Sequence, residues 1–220
     1  MNIRTIILLI LAIPKTIIFN FRYFKFREAM KFPILVSHNV ILKKLGGNIK
    51  IEGAVKPAMI KIGFFEPAFF YKQGLKCIWN VYGTVVFKGS AVLGIGTKIT
   101  AYGQIIFGEN TRITANTDID CKERIVFGDD VLIGWDCLFM DSDNHKIYDR
   151  DRTLINENKE IIIGNKCWIG AKCTILKGAA IGENVILAGN SCLLGKIENN
   201  NCVIGGYPAK YLKAISEWER

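Results

Sequence analysis

Acidic residues are almost missing from the first fifty positions, where Glu28 stands alone against nine Lys and Arg. Of the chain's net +9, this segment holds 9 − 1 = +8, leaving +1 for the other 170 residues. Positive charge crowded at one end among Ile, Leu and Phe points to contact with an anionic membrane surface through residues 1–50. The aromatics there, Phe19, Phe21, Tyr23, Phe24 and Phe26, resemble a base-stacking platform. No nucleic-acid motif accompanies them, so no nucleic-acid partner is expected. Histidine is nearly absent too. His38 and His145 are the only two, which excludes a metal site built on three imidazoles, and no metal is expected.

The seven cysteines form no CxxC pair and show no zinc spacing. An odd, unpatterned set reads as reduced thiols in the cytoplasm. Long apolar runs are lacking as well. Ile6 to Ile13 stops at Pro14 and Lys15, short of the ~20 residues of a spanning helix, and no small-residue cleavage site follows it. The segment is therefore read as peripheral, meeting the inner membrane face or packing on the domain or a neighbouring subunit.

What is present is a period of six. From Ile163 the chain reads IGNKCW, IGAKCT, ILKGAA, IGENVI, LAGNSC, LLGKIE, with Ile163, Ile169, Ile175, Ile181, Leu187 and Leu193 six apart. Four places after each stands Cys167, Cys173, Ala179, Val185, Ser191 or Ile197. Six residues fit neither a helix nor a long alternating strand, but they fit a short strand and a tight turn. The large residue faces inward, the small one fills a corner, and Gly or Asn at the turn accepts a positive φ. Three faces close one coil, and each coil needs its neighbours to complete the core. Upstream, Phe87–Leu93–Ile99, Phe107–Ile113–Ile119 and Phe127–Ile133–Phe139 repeat the spacing, each triplet starting 20 residues after the last. Two extra residues per coil therefore sit near one corner.

The predicted organisation is an N-terminal extension over 1–48, a parallel β-helix over 49–205 and a helical cap over 206–220, with Pro208 as its first helical residue. EPAFFYKQGLKC, residues 66–77, reads as a loop between early coils.

The rhythm breaks at FMDSDNHKIYD, residues 139–149. The next inward residue is due at 145, and His145 arrives instead, followed by an excursion over 145–160. A loop leaving an intact wall of coils can place chemical groups on a rigid support. Asp143 occupies the small corner position, where a carboxylate is costly unless paired. Asp143 or Asp141 is expected to hold one ring nitrogen of His145 and leave the other free to take a proton. The alternative is a solvated Asp/Asn turn. His38 has no such setting and reads as structural.

The stretch IIIGNKCWIGAKCTILKGAAIGENVILAGNSC followed by GGYPAK resembles the hexapeptide-repeat acyltransferases, of the sugar O-acetyltransferase type. The resemblance covers roughly 85–212 and implies an all-β, left-handed parallel β-helix, a homotrimer with sites between subunits, and acetyl-CoA as donor. It implies that His145 deprotonates an acceptor hydroxyl, and that the Trp168 indole or a nearby amide stabilises the oxyanion. Gly170, Ala171, Ala188 and Gly189 would line the pantetheine arm, with Lys210 toward the nucleotide. ITANTDIDC is similar to the acceptor-binding stretch of the galactoside and maltose enzymes, which assigns Asn116 and Asp118 to a sugar; Asp118 departs from that pattern, where Asn stands.

The expected reaction is acetyl transfer to a saccharide hydroxyl in surface-polysaccharide synthesis, on an acceptor that suits lipid linkage. Alternatives are N-acetylation of a nucleotide-linked amino sugar and a non-catalytic β-helix scaffold. Serine acetylation lacks its N-terminal helical domain, and Thr97, Thr100, Thr111, Thr114 and Thr117 are too scattered for an ice-binding face.

Overall fold

A computed structural model describes residues 3–64 and 74–219, and for residues 4 and 5 the backbone only. Three sheets, parallel except for the last strand of the first, form the faces of a prism. The first face carries nine strands from Ile34–Val36 to Ala209–Ala214, the second seven from Val40–Leu45 to Cys192–Leu193, and the third seven from Asn48–Ile51 to Lys196–Ile197. This is the left-handed parallel β-helix.

The six-residue period becomes three columns. Leu93, Ile113, Ile133, Ile169 and Leu187 are in register on the first face, and Ile99, Ile119, Phe139, Ile175 and Leu193 on the second. On the third, Phe87, Phe107, Phe127, Ile163 and Ile181 stack. Phe107 and Phe127 lie parallel at 5.3 Å between centroids, offset stacking that adds to their burial. Cys137, Cys167 and Cys173 fill corners, each within 3.2 Å or less of a carbonyl of the next coil.

The turns differ from expectation in detail. Positive φ falls on Asn184 and Asn190 but also on Lys166 and Lys172. Gly170 instead serves close approach, since a Cβ there would stand 2.5 Å from the Gly189 nitrogen. The two extra residues lie between the second and third faces: Ile119 to the buried Phe127 is eight residues, whereas Ile175 to Ile181 is six.

Two boundaries move. The β-helix begins at Ile34, because Ile34–Val36, Val40–Leu45 and Asn48–Ile51 already form the first coil. The proposed 66–77 loop lies mostly outside the described residues. At the other end the described residues of the predicted 206–220 helix, 206–219, are not helical: Ala209–Ala214 pairs antiparallel with Cys202–Gly206, through a turn with Gly206 at φ +105 and a cis Tyr207–Pro208 bond. The last parallel strand would otherwise expose a row of unpaired backbone groups, and the returning strand covers them.

The helical cap stands at the opposite end. α1 (Ile3–Tyr23) runs through Pro14, which lies on its exposed side, so the apolar run is longer than its proline suggested. By length and composition α1 is sufficient to cross a membrane. α2 (Phe26–Ala29) follows. Phe19 is fully buried against Trp79, ring to ring at 5.1 Å. Thr16 and Asn20 bond the edge strand: Asn20 Nδ2 donates to Ile34 O at 2.7 Å and its Oδ1 accepts from Ile34 N at 3.2 Å, while Thr16 Oγ1 accepts from Val36 N at 3.0 Å. Lys15 Nζ donates to His38 O and Val40 O.

Candidate active site

The 141–160 excursion leaves the second-to-third corner, the one widened by two residues in the coils before it. Its base is fixed by hydrogen bonds. Asn144, at φ +59, donates from Nδ2 to Asp120 Oδ2 at 2.8 Å. Asn156 Nδ2 donates to the His145 carbonyl and to Asp143 Oδ2, each at 2.8 Å, and its Oδ1 accepts from Ile147 N at 2.7 Å. Lys177 Nζ, from the coil beneath, donates to Asp143 Oδ2 and to the Asn156 carbonyl. These contacts hold the backbone of His145 while its side chain remains exposed.

His145 lines an open cleft of about 510 Å³ with Lys122, Glu123, Ser142, Asn144 and Lys146. Ser142 is 2% exposed, and its hydroxyl has no hydrogen-bond partner among the described residues. The second oxygen of the Asp120 carboxylate is likewise buried and unpartnered. Among the described residues nothing hydrogen-bonds the His145 ring. No group of three or more His, Cys, Asp or Glu is arranged to hold a metal ion among them either.

Neither carboxylate expected to orient that ring touches it. Asp141 is fully buried and accepts the backbone N–H groups of Lys122, Glu123 and Arg124 at 2.7, 2.9 and 2.8 Å. Three such donors satisfy a buried carboxylate, and its role is to pin the adjacent corner. Asp143 belongs to Lys177 and Asn156, which together hold its carboxyl below the ordinary range. Both partners are remote in sequence, so the local reading paired these acids with the nearest base.

Trp168 sits outside the first face, 40% exposed, its ring 5.9 Å from that of Trp218. Within one chain the third face separates it from His145. The remaining assigned residues gather at the first-to-second corner. Asn190 N donates to Ala171 O and Gly170 N to Leu187 O, both at 2.8 Å. A Cβ on Gly205 would touch Ala188 at 2.9 Å, and Lys210 pairs across from Gly205. Gly170, Ala171, Ala188, Gly189 and Lys210 therefore form one continuous edge. Asn116 and Asp118 start on the same edge two coils earlier, Asn116 bonded to Asp136 at 2.5 Å and Asp118 to Lys98 at 2.7 Å. His145 lies across the second face from this edge. Asp118 and Asp120 project outward from the strand Asp118–Cys121 between them.

Sequence reasoning missed Asp120, Asn156 and Lys177. Asp120 carried a signal, since DIDC puts two acids on one side of a strand; Asn156 and Lys177 carried none.

The fold and the repeat together define a hexapeptide-repeat β-helix. Residues 160–195 match the family described as bacterial transferase hexapeptide (six repeats). Over 73 residues, 31% of this chain and 36% of the relative, the chain is 38% identical to WbbJ of Escherichia coli K12, named for O-acetyl transfer in lipopolysaccharide biosynthesis. Over 92 residues it is 31% identical to the polysialic acid O-acetyltransferase of Escherichia coli O1:K1, covering 41% of this chain and 30% of that protein. The matched segments thus span about a third of these relatives. Among solved structures it resembles the polySia-specific acetyltransferase NeuO, with a TM-score of 0.58 and 23% identity over 86% of this chain and 79% of that one. A hexapeptide transferase family protein from Anaplasma phagocytophilum aligns at a TM-score of 0.50 and 22% identity, over 77% and 80% of the two chains. At that identity these structures support the fold.

Proposed function

We propose that this protein transfers an acetyl group from acetyl-CoA to a saccharide hydroxyl in surface-polysaccharide synthesis. The observation that carries the reading is His145, held by its backbone over an open cleft with its ring unengaged. The names of the sequence relatives support the chemistry and the saccharide class.

In this reading a ring nitrogen of His145 accepts the proton of the acceptor hydroxyl as its oxygen attacks the acyl carbonyl. The imidazolium then returns the proton to the departing thiolate. Such base assistance is typically worth ~10² to 10⁴ in rate. The donor's thioester supplies the activated acyl group. Small residues along the first-to-second edge suit a pantetheine arm against the backbone, since a Cβ on Gly189 would already stand 3.3 Å from Ala171 O. Lys210 would face the donor's phosphates, and Asn116 with Asp118 would meet the sugar.

Because that edge and His145 lie on opposite sides of the second face, one chain does not bring donor and base together. The reading therefore includes a homotrimer whose subunits complete each other's sites, and in which Trp168 of one chain approaches His145 of the next. It also places the reaction in the cytoplasm, which suits seven free, buried thiols.

The test is an acceptor panel with acetyl-CoA, following free thiol, for the wild type and His145→Ala. Acceptor-dependent release lost in the variant supports the enzyme. Equal release from both leaves a scaffold.

A further inference from the structure

We propose that the outward face of α1, continued by Phe26 of α2 and Met30, docks in the plane of an anionic lipid bilayer. Apart from the buried Ala12 and Phe19, the helix is inside out. Its polar residues Thr16 and Asn20 are 6% and 0% exposed and turn toward the first coil. Ile3, Ile7, Ile10, Ile17 and Phe21, at 74, 51, 58, 42 and 41%, face away from it. Steps of three, four and seven put these five on one stripe. An amphipathic helix at a protein–water boundary has the opposite arrangement, and an exposed apolar strip of this length marks an interaction surface. The strip continues past the helix: the Phe21 ring meets Phe26 at 5.9 Å and Phe32 at 6.3 Å.

The charge around the strip selects the occupant. Arg22, Lys25, Arg27 and Lys31 are exposed beside its end, and Glu28 is the only acid before Glu52. Applied to the same face of a second copy, this rim would set like charges together; against anionic headgroups it is complementary. Orientation follows from the inward side. Lys15, Thr16, Asn20 and Tyr23 bond His38, Ile34, Val36, Val40 and Gly46. Crossing the bilayer would break those bonds and carry Lys15 into hydrocarbon, so the helix lies along the surface.

The inference is independent of the acyl-transfer reading, and its test needs no activity. The full chain is floated with vesicles of phosphatidylcholine and phosphatidylglycerol, and with phosphatidylcholine alone. Flotation is expected with the first, weakened by salt, and reduced roughly fivefold by each of Arg22→Gln, Lys25→Gln and Arg27→Gln. Ile10→Glu with Ile17→Glu is expected to abolish it without changing the circular dichroism or the melting temperature, since both side chains point away from the coil. Absence of wild-type flotation overturns the proposal, as does flotation unaffected by the charge substitutions. Dissociation of a vesicle-free oligomer by Ile10→Glu with Ile17→Glu also overturns it, by assigning the strip to a second copy.

Discussion

The Lys177 ammonium lies 2.5 Å from Oδ2 of Asp143, joining the loop that carries His145 to the coil beneath it. Lys177 also holds the Asn156 carbonyl, so one side chain secures both limbs of the excursion. Lys177→Met is expected to increase proteolytic cutting within 146–158 and to lower acetyl transfer, with little loss of global stability, because partly exposed ion pairs are worth about 0–1 kcal/mol. The Asp143 carboxyl is depressed, so the tie is intact above the ordinary carboxylate pKa and is lost as pH falls through the lowered one. Loop cutting in the wild type should rise only in acid, and in Asp143→Asn it should be raised and flat with pH.

His145→Ala should lower acceptor-dependent thiol release by about 10²- to 10⁴-fold. Its melting temperature should stay near that of the wild type, because substitution of an exposed side chain changes stability by about 0.5 kcal/mol or less. A large shift in melting temperature would assign the residue to the fold instead.

Asp141 predicts the reverse pattern. Asp141→Ala strands three backbone N–H groups at the 122–124 corner, at a cost of roughly 2–4 kcal/mol. Thermal melts should register a drop of several degrees. Activity lost with no change in melting would restore Asp141 as a partner of His145.

Asn20→Ala leaves the amide and carbonyl of Ile34 without their side-chain partner at a fully buried site. A cost of about 1–3 kcal/mol is expected, with faster amide exchange concentrated in α1 and 34–36. Uniform destabilisation without local exchange would contradict the capping role of α1.

The cysteines supply a prediction in alkali. Burial pushes the Cys137 and Cys167 thiols up to about 12. Their neutral form is favoured by folding, so this contribution is complete below the unfolded thiol pKa and fades as pH rises toward 12. Native protein at pH 8 should react negligibly with a thiol reagent, and denatured protein should release all seven. Rapid labelling of the native chain would contradict the packing.

The coils from Phe87 to Leu193 were legible because one residue class recurs at one spacing, and any slip would move a column off the core. The first two strands of the first coil, Ile34–Val36 and Val40–Leu45, were hidden, because the second ends in KKL and the charge of the segment suggested an appendage. The C-terminal strand was misread because KYLKAISEW carries helical spacing, while the force that decides its conformation is the bare edge of Cys202–Gly206. At the site, the register break exposed His145. The partners of Asp141 and Asp143 come from residues 13 to 34 positions away, which no local pattern contains.

The excursion departs from a corner that had already been lengthened in earlier turns of the prism. Length added there leaves every inward column in step, so that vertex can be rebuilt without disturbing the frame. The side chains displayed at that vertex can therefore be exchanged while the coils behind it are left untouched.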